Sequence, residues 1–197
     1  MRHARRAGSC RRLLWHLAFA GLALIVGGCA WAAGAADIEA TALERRVKAA
    51  FLYKFADFVE WPEAAFGRPD SPLVIGVAGD EQVAAELGTL TAGRTVGGRS
   101  IAVRRVKEAD SSTGVHILFI GRAEASRLSQ WIRAVQGRPV LIVTETEGAL
   151  AQGSMINFVL SEGRVRFEIA LASADRSGLV LSSRLLAVAH YVRPRTP

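Results

Sequence analysis

The sequence predicts a layered α/β domain: a central, largely parallel sheet with helices on both faces, a C-terminal antiparallel hairpin and a closing helix. Two observations carry this prediction. Between residues 71 and 148, apolar β-branched runs alternate with amphipathic stretches in the order strand, helix, strand, strand, helix, strand. After them, two strand-like runs meet at a short turn, and a helical pattern closes the chain. Residues 37–197 show neither a repeat nor a linker, and we interpret them as one domain.

Residues 1–36 have the pattern of a signal peptide. An arginine-rich start is followed by the apolar run "LLWHLAFAGLALIVGG" and then by the small residues "CAWAAGAAD". We expect cleavage after Ala35 or Ala36 and export to the periplasm. Two alternatives stay open: "VGGC" allows lipid anchoring through Cys29, and an uncleaved run would be an anchor, although it is short for a membrane span.

The charge and the cysteines also belong to this leader. Its five arginines account for most of the net charge of +7, since 20 basic and 18 acidic residues remain without them. A nucleic-acid partner is therefore not expected. Cys10 and Cys29 are the two cysteines of the chain, so the exported domain would lack disulfides and depend on its core for stability.

Residues 38–61 predict one helix that is rich in aromatic rings. At about 100° per residue, its rings fall mainly on one apolar arc. Pro62 should end the helix, because the residue before a proline avoids helical geometry. We interpret the arc as part of the core; its rings are Phe51, Phe55 and Phe58.

Two aromatic residues of this segment have a different predicted role. Tyr53 and Trp61 fall outside the buried arc or at its margin. Aromatic residues with a polar group are enriched at the energetic centres of protein interfaces. We therefore take both as candidate partner contacts. A membrane anchor is not favoured here, because Lys54 and Asp57 interrupt the apolar run, and their i, i+3 spacing suits an ion pair.

The next elements follow from periodicity and composition. Continuous apolar runs predict buried strands, mixed ones predict half-exposed strands, and amphipathic ones predict helices. In chain order they are the strand "SPLVIGVAGD", the helix "DEQVAAELGTL", the half-exposed strand "GGRSIAVRRV", the strand "GVHILFIGR", the helix "AEASRLSQWIRAVQG" and the strand "RPVLIVTETEG".

The last third predicts a hairpin and a helix. "SMINFVLSEGRVRFEIAL" gives two strands about a turn at residues 161–163, and "LVLSSRLLAVAHYV" gives a helix that Ser182 or Ser183 could cap. Alternation places Arg166 and Glu168 on one face of the second strand. They form either a structural pair or part of an exposed sheet-edge hairpin that contacts another protein.

The sequence predicts no catalytic residue, no metal site and no cofactor, and hence no enzyme. The nucleophile-elbow and phosphate-loop motifs are absent, and no cluster has metal-ligand spacing. His116 lies in an apolar run, which favours a hydrogen-bonded core histidine. The carboxyl ends of the predicted strands carry Asp80, Arg122 and Thr144, which could form a small-ligand pocket. Asp80 suits a helix cap equally well.

Two segments resemble the YfiR/HmsC-like family of exported bacterial proteins. They are "VKAAFLYKFADFVEWP" and "GSMINFVLSEGRVRFEIALASADRSGLVLSSRLLAVA", in this order and with apolar strands between them, over about residues 44–192. The resemblance implies a non-enzymatic periplasmic protein that binds the periplasmic part of an inner-membrane diguanylate cyclase and represses it. The result would be less cyclic di-GMP and less biofilm, with an outer-membrane lipoprotein that relieves the block.

One departure and one alternative accompany this resemblance. The family type that it implies uses disulfide cysteines, which residues 37–197 lack, so redox control is not expected. Such domains are also paired with sensor kinases. The alternative is therefore a periplasmic small-ligand-binding sensor domain that acts with a kinase. A homodimer is compatible with either function.

Overall fold

The computed structural model describes residues 38–195. The expected signal peptide, its cleavage site and Cys29 lie outside the described residues and stay predictions. The elements below belong to one compact unit, Glu44–Pro197. Helix α1 spans residues 38–58, and its part from residue 44 onward belongs to this unit. The other helices are α2 (Glu81–Thr91), α3 (Leu128–Val135), α4 (Ala149–Gln152), α5 (Leu171–Arg176) and α6 (Ser183–Val188). The strands are β1 (Val59–Glu60), β2 (Leu73–Ala78), β3 (Thr95–Val96), β4 (Arg99–Arg105), β5 (Ile117–Ile120), β6 (Leu141–Thr144), β7 (Ile156–Ser161), β8 (Arg164–Ala170), β9 (Val180–Leu181) and β10 (Tyr191–Arg193).

Eight strands form one sheet in the order β10-β8-β7-β6-β5-β2-β4-β3. The five strands from β7 to β4 are parallel, whereas β3 and β8 run antiparallel to their neighbours β4 and β7. This arrangement confirms the predicted α/β class and the C-terminal hairpin. The chain reverses its winding direction between β2 and β5, which makes their carboxyl ends the topological switch point of the sheet.

Helices cover both faces of the sheet. On one face, α1 packs its rings against the hairpin: Phe55 lies 5.9 Å from Phe158 and 5.2 Å from Phe167 between ring centroids. Phe55 is buried, which confirms its predicted place in the core, and Phe51 is partly buried beside it. On the other face, α3 and α4 flank the buried side chain of Ile142. Strands covered on both faces need apolar residues in succession, as β5 and β6 have.

The helix predicted to reach residue 61 ends at residue 58 instead. Val59 and Glu60 form β1, which pairs antiparallel with β9. The carbonyl of Phe58 accepts a hydrogen bond of 2.9 Å from the backbone N–H of Ser182. The backbone leaves the helix because a strand far along the chain supplies these alternative partners.

The hairpin lies only partly at the predicted sheet edge, because the short strand β10 pairs with Glu168–Ala170 of β8 and not with its residues 164–166. Strand β10 pairs parallel with the outer side of β8, with Tyr191 opposite Glu168. The closing helix α6 is capped by Ser182, as predicted, but it covers only six residues. The chain after it is therefore free to extend along β8. The other predicted helix, residues 123–137, begins as a 3-10 segment (Arg122–Arg127) before α3.

Candidate functional site

The β7–β8 hairpin extends beyond the neighbouring strand β6. Strand β6 pairs with β7 only at Ile156 and Asn157. Pairing of β7 with β8 continues to Ser161 opposite Arg164. Residues 158–167, called here the projecting hairpin, therefore stand past the carboxyl end of β6. The loop after β6 lies beside them, and a surface cleft separates the two.

This hairpin cleft has a volume of about 550 Å³ and a mixed lining. Leu160, which lines the cleft, is 57% exposed. Around it the cleft is mainly acidic, with Arg122 as its one basic residue. The charged lining consists of Glu145, Glu147, Glu168 and Arg122. Apolar area surrounded by charged groups matches the core-and-rim arrangement of protein interfaces.

A buried ionic cluster lies directly beside the cleft. Lys48 of α1 is 5% exposed and forms ion pairs with Glu44, one helical turn before it, and with Glu145 after β6. The other carboxylate oxygen of Glu145 accepts a 2.7 Å hydrogen bond from the backbone N–H of Arg122. These groups, the Lys48 cluster, fasten α1 to the carboxyl ends of β5 and β6.

Sequence analysis missed this cluster, although one signal was present. Relative to Val47, Lys48 falls at about 100° on the helical wheel, within the apolar arc that holds Phe55. A lysine in that position must either stretch to water or meet a carboxylate. Glu44 has the favourable i, i+4 spacing to Lys48. Glu145 could not be predicted, because it lies 97 residues away in the chain.

The three residues predicted to form a ligand pocket are not brought together. Asp80 caps α2 by accepting hydrogen bonds of 3.0 and 2.9 Å from Gln82 and Val83, and it lines a different cleft. Thr144 is fully buried, and its hydroxyl donates a 2.7 Å hydrogen bond to Asn157. Only Arg122 lines the hairpin cleft.

The backbone itself closes the switch point between β2 and β5. The N–H of Gly121 donates a 2.8 Å hydrogen bond to the carbonyl of Ala78. A Cβ at Gly121 would lie 3.0 Å from the backbone of Gly79, and a Cβ at Gly79 would meet the side chain of Glu124 at 2.8 Å. The two strand ends are therefore in close backbone contact, and the cleft that Asp80 lines lies beside them, with Gly79 and Glu124 in its lining.

The four predicted partner residues fall into two groups. Glu168 lines the hairpin cleft, and the exposed Arg166 lies on the same face of β8. Within residues 38–195 these two side chains form no ion pair with each other. Trp61 is half-buried near the amino end of β5, where its indole N–H donates a 3.3 Å hydrogen bond to the carbonyl of His116. The half-buried ring of Tyr53 has the cation of Arg94 5.6 Å from its centroid.

The structure confirms that His116 is a hydrogen-bonded core histidine. Its Nδ1 accepts a 3.0 Å hydrogen bond from the N–H of Val74, which leaves Nε2–H to donate to the carbonyl of Ala65 at 3.2 Å. The ring of Phe66 stacks on the imidazole at 4.4 Å. Burial lowers the pKa of His116, because imidazolium is poorly solvated there.

Residues 38–195 contain neither a candidate metal site nor a candidate membrane-spanning helix. In that range no group of three or more His, Cys, Asp or Glu side chains is arranged to hold a metal ion. None of the helices in the same range has the length and apolar character that crossing a membrane requires.

Two solved structures are partly similar to this chain. A solved structure of a conserved domain protein from Vibrio cholerae O1 biovar El Tor strain N16961 is similar at a TM-score of 0.46 and 13% identity, over 61% of this chain and 54% of that one. The ABC domain of Streptococcus pneumonia in complex with L-Trp is similar at a TM-score of 0.46 and 12% identity, over 61% and 55%. This chain spans about half the length of both proteins.

The structure is thus an α/β domain with a mainly acidic cleft at one end of its sheet. A family model described as YfiR/HmsC-like matches residues 45–190. The chain belongs to the YfiR/HmsC-like family, a family of regulatory proteins that act through contact with a membrane protein.

Proposed function

We propose that this protein is a periplasmic repressor that binds the periplasmic part of an inner-membrane diguanylate cyclase and keeps the enzyme inactive. Family membership supports a regulatory role. The observation that carries the contact mechanism is the projecting hairpin, which presents the 57% exposed Leu160 beside the hairpin cleft. The expected outcome in the cell is a lower level of cyclic di-GMP and less biofilm.

Repression would operate through a shift of populations. The protein binds the inactive conformation of the cyclase more tightly than the active one, so the inactive form accumulates. Moving such an equilibrium from 1:99 to 99:1 needs a difference in affinity of about 10⁴-fold. An outer-membrane lipoprotein would relieve the block by competing for the repressor.

The lining of the cleft specifies the chemistry of the partner surface. Leu160 offers apolar area, and Glu147 and Glu168 give its surroundings a negative potential. A complementary partner would insert an apolar side chain flanked by lysine or arginine. Arg166 lies on the same face of β8 as Glu168, and it would contact an acidic group of the partner at the rim of the interface.

The first experiment measures cellular cyclic di-GMP after deletion of the gene, with surface attachment scored alongside. The repressor proposal expects both to rise. Expression of the full chain should reverse the rise, whereas a version without residues 1–36 should not. An unchanged cyclic di-GMP level would refute repression of a cyclase.

A second experiment tests the contact surface directly. Leu160→Asp and Glu168→Lys should each weaken binding to the isolated periplasmic part of the cyclase at least about 10-fold, the effect of losing one strong interface contact. Val188→Asp is the matched control, since Val188 is 64% exposed and lies on α6, outside the hairpin. Equal losses for Leu160→Asp and Val188→Asp would contradict the proposed surface.

Tyr53 and Trp61 remain candidate contacts outside the hairpin. Trp61→Ala also removes the hydrogen bond to the His116 carbonyl, so its thermal melting must be measured together with repression. Tyr53→Ala makes no such change to a described hydrogen bond. If both variants melt as the unmodified protein does and still repress fully, neither residue is part of the interface.

A further inference from the structure

A second cleft lies among three helices, away from the projecting hairpin. It is bordered by α3, the turn after α4, and α5, and has a volume of about 570 Å³. Its floor is apolar, with the buried side chains of Val135, Ile142 and Met155. We call it the three-helix cleft.

The charged groups of the three-helix cleft are all basic. Arg133 of α3 and Arg176 of α5 line it, and no carboxylate does. Within the described residues neither guanidinium has an ion-pair partner, and Arg176 donates only to the hydroxyl of Ser173, at 3.1 Å. Asp175, the acidic neighbour of Arg176, is already held by Arg195 through hydrogen bonds of 2.6 and 3.1 Å.

Some arginines of the domain pair with carboxylates, whereas others, such as Arg166 and Arg184, have no ion pair among the described residues. Arg127, at the start of α3, pairs with Glu124, and Arg105 of β4 pairs with Glu81. Two guanidiniums that line one concave surface give it a positive potential, which favours an anion. A planar guanidinium can also hold a phosphate or a carboxylate with two parallel hydrogen bonds.

Neutral polar groups complete the rim. The side chains of Ser129, Gln136, Gln152 and Ser177 offer hydroxyl and amide groups at the border of the cleft. A few polar groups around an apolar floor are typical of sites that bind small molecules. Inorganic ions would use only the rim, whereas a molecule with a carbon body would also cover the floor.

We propose that the three-helix cleft binds a small amphiphilic anion, with its phosphate or carboxylate head on Arg133 and Arg176 and its apolar body on Ile142 and Met155. This site is independent of the cyclase contact and would let the domain respond to a metabolite. It differs in place and in chemistry from the pocket that the sequence predicted at Asp80, Arg122 and Thr144.

The test uses the exported protein and three probes at constant ionic strength: hexyl phosphate, inorganic phosphate and hexanol. Binding is measured by calorimetry and by the shift of the thermal transition. Only hexyl phosphate combines the head with the body, and its affinity should exceed that of either other probe at least about 10-fold. Arg133→Gln and Arg176→Gln should each weaken its binding about 10-fold.

Arg184→Gln is the matched control. Arg184 is an exposed arginine of α6 that has no ion pair among the described residues and does not line the cleft. If it weakens binding as much as Arg133→Gln, or if phosphate and hexyl phosphate bind equally, the anion is held by general charge and the proposed site is wrong. Cyclic di-GMP repression by the same variants is scored separately, so failure here leaves the repressor proposal standing.

Discussion

Replacing Lys48 with methionine tests whether the Lys48 cluster stabilises the docking of α1. Methionine has a similar length and no charge, so the helix and its packing are retained. The carboxylate of Glu145, 9% exposed, would then stay buried with the N–H of Arg122 as its remaining described partner. Glu44 is more exposed, with 24% of its side chain accessible, and water can solvate it.

The burial of the Lys48–Glu145 ion pair determines how much stability Lys48→Met should lose. Removing one partner of a buried ion pair typically costs about 3–5 kcal/mol, because the other charge is left in a poorly solvating environment. That is a large part of the roughly 5–15 kcal/mol that stabilises a typical domain. With a urea m-value of about 2 kcal/mol/M, the unfolding midpoint should fall by about 1.5–2.5 M.

The assay is urea unfolding followed by circular dichroism and tryptophan fluorescence. Lys54→Met is the control on the same helix, because Lys54 is 60% exposed and its 3.8 Å pair with Asp57 should contribute no more than about 0.5 kcal/mol. The double variant Lys48→Met with Glu145→Gln removes both buried charges and should be more stable than Lys48→Met alone. The reasoning is refuted if Lys48→Met and Lys54→Met have equal midpoints, or if the double variant loses the sum of its single losses.

Two other predictions concern the pH dependence of stability and the replacement of two glycines. The lowered pKa of His116 means that the unfolded chain takes up a proton at a higher pH than the folded one, so the free energy of unfolding should fall as the pH drops below about 6.5. The variant His116→Asn cannot ionise and keeps an acceptor for the N–H of Val74. In denaturant titrations from about pH 7.5 to about pH 5, its free energy of unfolding should therefore change less with pH. An unchanged pH dependence would exclude His116 as the source of the effect. Gly121→Ala should cost about 1–3 kcal/mol, since its Cβ would lie 3.0 Å from the backbone of Gly79. Gly88→Ala in α2 meets no atom within 4 Å and should raise stability by up to about 1 kcal/mol; equal thermal shifts for the two glycine variants would contradict both estimates.

The elements that the sequence predicts correctly are those whose pattern is local. Strand β5 was expected because Ile117–Ile120 are all apolar, and all four are buried. Helix α2 was expected from Asp80 and the periodicity after it, and Asp80 does cap this helix. In both cases the residues that determine the conformation are close neighbours in the chain, so a sequence window contains the whole cause.

The errors arise where a distant segment supplies the partner. Helix α1 ends early because β9 pairs with Val59 and Glu60, and the hairpin is covered at one end because β10 pairs with Glu168–Ala170. A two-residue or three-residue strand has almost no periodicity of its own, so its position depends on the edge that is available to it. Such pairings can be recognised only when both segments are placed in space.

The candidate sites also show which features a local sequence pattern determines and which need the tertiary structure. The sequence by itself determined the α/β class, the aromatic core face of α1, the hairpin, and the resemblance of two segments to a family of regulators. Only the tertiary structure joined Lys48 to Glu145 and brought Arg122 and Glu168 to the lining of one cleft, while it kept Asp80 apart. It also brought Arg133 and Arg176 to one cleft. Periodicity reports which side of its own element a residue occupies, whereas a site forms where the ends of several elements converge, and that depends on strand order and strand length.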